Sequence, residues 1–174
     1  MKRLLALLIP FLLVTQPASA QYASGTVSAM LDAQTRSWQV VEPDQDGGSH
    51  WKRENDGVSI RLVAHEAPEV LSRNPGLTLS FKTDGLGAEA EAQELSVILT
   101  QTTENGTLKA MPTDTDITLS ALTVAGERLV ISGDFTAILS PEGAGMSAEA
   151  EDEGSVTMVG DFQATLPYVD DPDG

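Results

Sequence analysis

Leu129–Leu139 reads Leu-Val-Ile-Ser-Gly-Asp-Phe-Thr-Ala-Ile-Leu, and Val156–Leu166 reads Val-Thr-Met-Val-Gly-Asp-Phe-Gln-Ala-Thr-Leu. Both contain Gly-Asp-Phe-x-Ala-x-Leu. In the first copy Leu129, Ile131, Gly133, Phe135, Ala137 and Leu139 are apolar or small, and in the second Val156, Met158, Gly160, Phe162, Ala164 and Leu166 are. The positions between them are mostly polar. A period of two marks a strand with one buried face. Consecutive strands usually neighbour each other, so the two copies are expected to pair antiparallel. The pattern also selects a register. If Phe135 lies opposite Gly160, then Gly133 faces Phe162, Leu139 faces Val156, Ala137 faces Met158, Ile131 faces Ala164 and Leu129 faces Leu166. Each ring then covers a cross-strand glycine, the arrangement known as aromatic rescue. A slip of one residue would turn an apolar set to solvent. The rival arrangement places the copies in opposite sheets, with the rings meeting across the core.

The same alternation recurs upstream. Gly25–Leu31 sets Val27, Ala29 and Leu31 against Thr26, Ser28 and Met30. Asp32–Thr35 is a polar turn, and Arg36–Val41 carries Trp38 and Val40 on one face, so the two segments form a hairpin. His50–Arg53 reads as a short strand. Asn55-Asp56-Gly57 is a turn of residues that tolerate positive φ, followed by Val58–Ala64 with Val58, Ile60 and Leu62 inward. Gly76–Thr83 places Leu77, Leu79 and Phe81 inward. Ala88–Ala92 alternates Ala and Glu, both helix formers, and could open a short helix. Glu94–Gln101 is a strand, Thr102–Gly106 a turn, and Thr107–Met111 a short strand stopped by Pro112. In Asp116–Val124 the apolar parity switches between Ala121 and Leu122, which implies a β-bulge. Ser140–Gly154 is acidic and is expected to be a mobile surface loop, and 168–174 an acidic, frayed tail. The pattern gives about eight or nine short strands without a long amphipathic helix, hence an antiparallel all-β domain. A β-sandwich over residues 21–167 is the first expectation and barrel-like closure the second.

The N-terminus reads as a secretory leader. Lys2 and Arg3 precede the apolar run Leu4–Val14, and Ala18-Ser19-Ala20 is a small-x-small cleavage site, so cleavage is expected after Ala20. The run falls short of the roughly 20 residues a bilayer-spanning helix needs. The expected location is therefore periplasmic or secreted. With no cysteine, the domain must rely on packing rather than disulfides. The formal net charge is −16, and loss of Lys2 and Arg3 takes it to −18. Nucleic acid and anionic membranes need cationic patches and are poor partners for such a chain, while cations and basic proteins suit it.

The sequence singles out no catalytic group. There is no Gly-x-Ser-x-Gly elbow, no cysteine nucleophile, and neither histidine, His50 or His65, sits in a paired motif. No cofactor is implied, except that Asp44, Asp46, Asp114 and Asp116 resemble fragments of calcium-ligand runs. Calcium wants six to eight oxygens, and an Asp-x-Asp run supplies only two or three. Trp38 and Trp51 could stack on a sugar with Tyr22 or Tyr168. Trp38 has inward parity, which leaves Trp51, beside His50, as the surface candidate. The expected function is a non-enzymatic binding or accessory protein recognising a protein or ligand. The alternative is a calcium-dependent glycan-binding or hydrolytic module.

Overall fold

The computed structural model describes residues 23–41, 48–66, 76–87, 89–100, 106–141 and 154–170. The expected leader, Asp44 and Asp46, all but Gly106 of the expected turn and residues 142–153 of the expected acidic loop lie outside them. Ten strands form, counting the four-residue β3 and β7. They are β1 (Ala23–Leu31), β2 (Gln34–Val41), β3 (His50–Arg53), β4 (Val58–His65) and β5 (Leu77–Thr83). Then follow β6 (Ala92–Thr100), β7 (Thr107–Ala110), β8 (Thr115–Ala125), β9 (Arg128–Pro141) and β10 (Val156–Pro167). Every strand pairing is antiparallel.

The β9–β10 hairpin has the register the alternation implies. Phe135 faces Gly160, Gly133 faces Phe162, and the other four inward pairs are those expected. Aromatic rescue holds at one glycine of the two. A Cβ on Gly133 would come within 2.9 Å of the Phe162 ring, so that ring covers the bare backbone. At Gly160 the nearest groups are Ser28 and Ala29 of β1. Strand β10 lies between β9 and β1, with Ala29 directly opposite Gly160. The hairpin alone could not reveal that third strand.

The strand order is β10-β1-β2-β4-β5-β6-β7-β9-β8, and the β9–β10 pairing closes it into a ring, with β3 beside β4 and β8 beside β9. Two seams in this ring are thin. Strand β2 meets β4 only at Gln39↔His65 and Val40↔Ala64, and β7 meets β9 only at Leu108↔Pro141 and Lys109↔Ser140. Between the seams lie two well-paired leaves, β2-β1-β10-β9-β8 and β3-β4-β5-β6-β7. The sandwich expectation thus holds as two leaves of one closed sheet rather than two separate sheets. The interior is filled by side chains: Trp38, Val40, Ile60, Leu62, Leu79, Phe81, Val97, Ile131, Phe135, Met158 and Phe162 are all buried. Across it, Phe81 of one leaf meets Phe162 of the other, ring centres 6.1 Å apart.

The joints have local causes. The β1–β2 turn has two central residues, and both Asp32 (φ 50°) and Ala33 (φ 60°) are left-handed. Type I′ geometry matches the twist of the flanking strands but suits Gly or Asn at its centre. Ala33→Gly is expected to raise stability by roughly 0.5–1 kcal/mol, since a Cβ is penalised in that region. No gain in a urea melt would show that the turn relaxes. Gly57 departs from its expected role, because neither it nor Asn55 nor Asp56 has positive φ. It is needed for close approach, since a Cβ there would collide with the Thr83 carbonyl. The bulge in β8 is present, with the register against β9 shifting between Leu119 and Ala121. A second bulge, in β6, coincides with left-handed Glu94, whose carboxylate sits 2.8 Å from Lys82 Nζ. Ala88 lies outside the described residues, and Glu89–Ala92 does not open a helix. Asp84 N donates to the Glu91 carbonyl, Glu91 N donates to Asp84 Oδ1, and Ala92 already belongs to β6.

Candidate functional site

The interior is packed with side chains, and two regions of the outer surface stand out.

The first is an open cleft of about 360 Å³ between Lys52–Asn55 and Tyr168–Asp170. It forms because the chain beyond β10 does not fray at once. Tyr168 N donates to the Glu127 carbonyl at 2.8 Å and Val169 N to the Trp51 carbonyl at 3.0 Å. Trp51 is the strut beneath. It is 1% exposed, its ring centre is 5.0 Å from that of Tyr168, and its Nε1 reaches the Glu127 carbonyl at 3.4 Å. This corrects the reading of Trp51 as a surface ring. In a four-residue strand alternate residues face opposite sides. Of the four residues of β3, Trp51 alone is buried, despite its charged neighbours. His50 is half-buried, with its Nδ1 2.8 Å from the Gly48 carbonyl. Within the cleft the Tyr168 hydroxyl donates to Asp170 Oδ1 at 2.9 Å. That bond, then burial, then the Asp170 charge hold the phenol above its usual range, with Arg53 opposing. Tyr168 is 36% exposed and Trp51 is buried, so the aromatic side chain available here is that of Tyr168.

The second region is the outer face of the β2-β1-β10-β9-β8 leaf. The repeat builds it. The register that sets Phe against Gly inward sets Asp134 directly opposite Asp161 outward. The row continues across five strands as Ser37, Ser28, Asp161, Asp134 and Thr118. The next row reads Thr35, Met30, Val159, Thr136 and Asp116. These rows contain no Lys or Arg. Met30 is 52% exposed, and Val159 and Ile138 are each 46% exposed. Met30 and Val159 pair directly, and Ile138 lies one outward position along from Thr136, the partner of Val159.

The remaining expected site residues stay apart. Asp114 sits in a short 3-10 turn (Pro112–Asp114) and Asp116 begins the outer face of β8, both exposed. Thr115 between them is buried and donates its hydroxyl to the Met111 carbonyl at 3.0 Å. Among the described residues, no group of three or more His, Cys, Asp or Glu side chains could hold a metal ion. His65 is half-buried at the β2–β4 seam, and desolvation lowers its pKa.

The Asp134–Asp161 pair is the group the sequence reading passed over, although the register already contained it. Like charges directly opposite on a sheet destabilise it. Asp161→Asn is therefore expected to stabilise the domain by roughly 0.2–1 kcal/mol. Adding Asp134→Asn should gain little more, because the first change already removes the repulsion. A double-mutant cycle in low salt measures this, and strictly additive effects would contradict it.

No family model, curated protein or solved structure matches the chain. Among the described residues, no helix is long and apolar enough to cross a membrane.

Proposed function

We propose that the mature chain is a secreted or periplasmic, non-enzymatic recognition protein, and that the outer face of the β2-β1-β10-β9-β8 leaf docks another protein. One observation carries the reading. Three large apolar side chains, Met30, Val159 and Ile138, are about half exposed on one side of one leaf, amid Thr, Ser and Asp without a cation. Single exposed hydrophobics need no explanation, but a grouped set bordered by polar residues marks an interaction surface. The filled interior supports the same reading, since it leaves a ligand only the exterior.

Photo-crosslinkers placed at Met30, Val159 and, on the opposite leaf, Ser80 test it in the native secreting cell. Adducts of one defined species from the first two positions and none from Ser80 are expected. Adducts from Ser80 alone would place recognition on the other leaf. The leader reading is tested on the same material, because the intact mass should begin at Gln21. Membrane-bound protein retaining Lys2 and Arg3 would reject it.

A second reading, glycan binding, rests on the cleft, where the exposed Tyr168 ring stands beside Lys52, Arg53 and Asn55. A ring with polar groups at its rim suits a sugar face. Tyr168→Ala abolishing retention on immobilised glycans, with the melting temperature kept, would favour this reading over protein docking.

A further inference from the structure

Resting on the docking face proposed above, we infer that its partner is a basic protein presenting arginine flanked by aliphatic side chains. The centre of the face is the Asp134–Asp161 pair, and Val159 stands on the same strand face as Asp161 with Met30 directly opposite it. Among the described residues, neither carboxylate has a hydrogen-bond or ion-pair partner. Two carboxylates on directly opposed residues, their Cβ atoms about 5 Å apart, offer several acceptor positions side by side. A guanidinium presents five donors in a flat fork and is weakly hydrated, so it matches this better than the point charge of lysine. The adjoining Met30, Val159 and Ile138 require apolar groups beside that cation. A chain of −18 also attracts basic partners over distance.

The face sets the strength. Five strands about 4.8 Å apart and roughly 20 Å of strand give ~400 Å² per partner, about half of a standard interface. The complex is therefore weak and transient.

The test is an NMR titration of the mature chain with two synthetic peptides, one alternating arginine and valine and one alternating arginine and serine. The arginine–valine peptide should shift the amides of Ser28–Met30, Thr118, Asp134–Ile138 and Val159–Asp161. The serine peptide should bind about tenfold more weakly, as should the valine peptide to the D134N/D161N variant. E89Q/E91Q, which removes the same charge from the β5–β6 loop, should leave binding unchanged. Equal weakening by both double variants would reduce the effect to net charge and overturn the inference. A footprint on this leaf indifferent to D134N/D161N would also overturn it while leaving the docking face standing. A footprint elsewhere, or concentration-dependent self-association through this face, would overturn both.

Discussion

Phe162→Ala is expected to remove roughly 3–5 kcal/mol of stability, the range for deleting a buried aromatic side chain. The side chain is 1% exposed and does three jobs. It fills core volume, meets Phe81 across the two leaves, and covers Gly133 on the neighbouring strand. The Phe81 contact adds about 0.5–1.5 kcal/mol beyond area burial. Gly133→Ala would not restore the loss, because its Cβ would also press on the Thr118 carbonyl at 2.5 Å. Phe135→Ala falls in the same range of roughly 3–5 kcal/mol, and of the two Phe162 should be the costlier. Urea unfolding with an unchanged m-value is the measurement. A loss under ~2 kcal/mol, below the usual range, would mean that the leaves close over the cavity and that the ring is not a keystone.

Ser49→Ala should cost about 2–4 kcal/mol although it deletes a single oxygen, because a buried donor and a buried acceptor are both orphaned. Strand β3 covers β4 at Val58–Arg61, and β2 covers it at Ala64 and His65. Between these ends Val63 has no strand beside it on that edge. The fully buried Ser49 hydroxyl fills the gap, accepting from Val63 N at 2.8 Å and donating to the Val63 carbonyl at 2.9 Å. One side chain thus stands in for a missing ladder partner. Thermal and urea melts of S49A report the cost. A loss below ~1 kcal/mol would show that water enters and replaces the hydroxyl.

The sequence by itself determined most of the strands and their buried faces, and the β9–β10 register. Alternation is carried by side chains, and a slip by one residue would expose Phe135 or Phe162. It also signalled the bulge in β8 by a parity switch, read at Ala121–Leu122, although the register already shifts between Leu119 and Ala121 and sets Ala121 opposite Ser132. The tertiary structure alone decided which non-consecutive strands meet. Backbone donors and acceptors are the same at every residue, so nothing in β1 marks β10 as its second partner, and the β1–β10 pairing and the two seams that complete the ring stayed hidden. Trp51 was misread because charged neighbours suggest exposure, whereas a four-residue strand can bury one side chain between two outward ones. Ser49 carries no signal of its own in the sequence, since its role exists only where the ends of β2 and β3 leave Val63 uncovered. The proposed docking face was half legible. The register that buries the phenylalanines also sets Asp134 against Asp161, but the flanking Met30 joins them only because β1 packs beside β10.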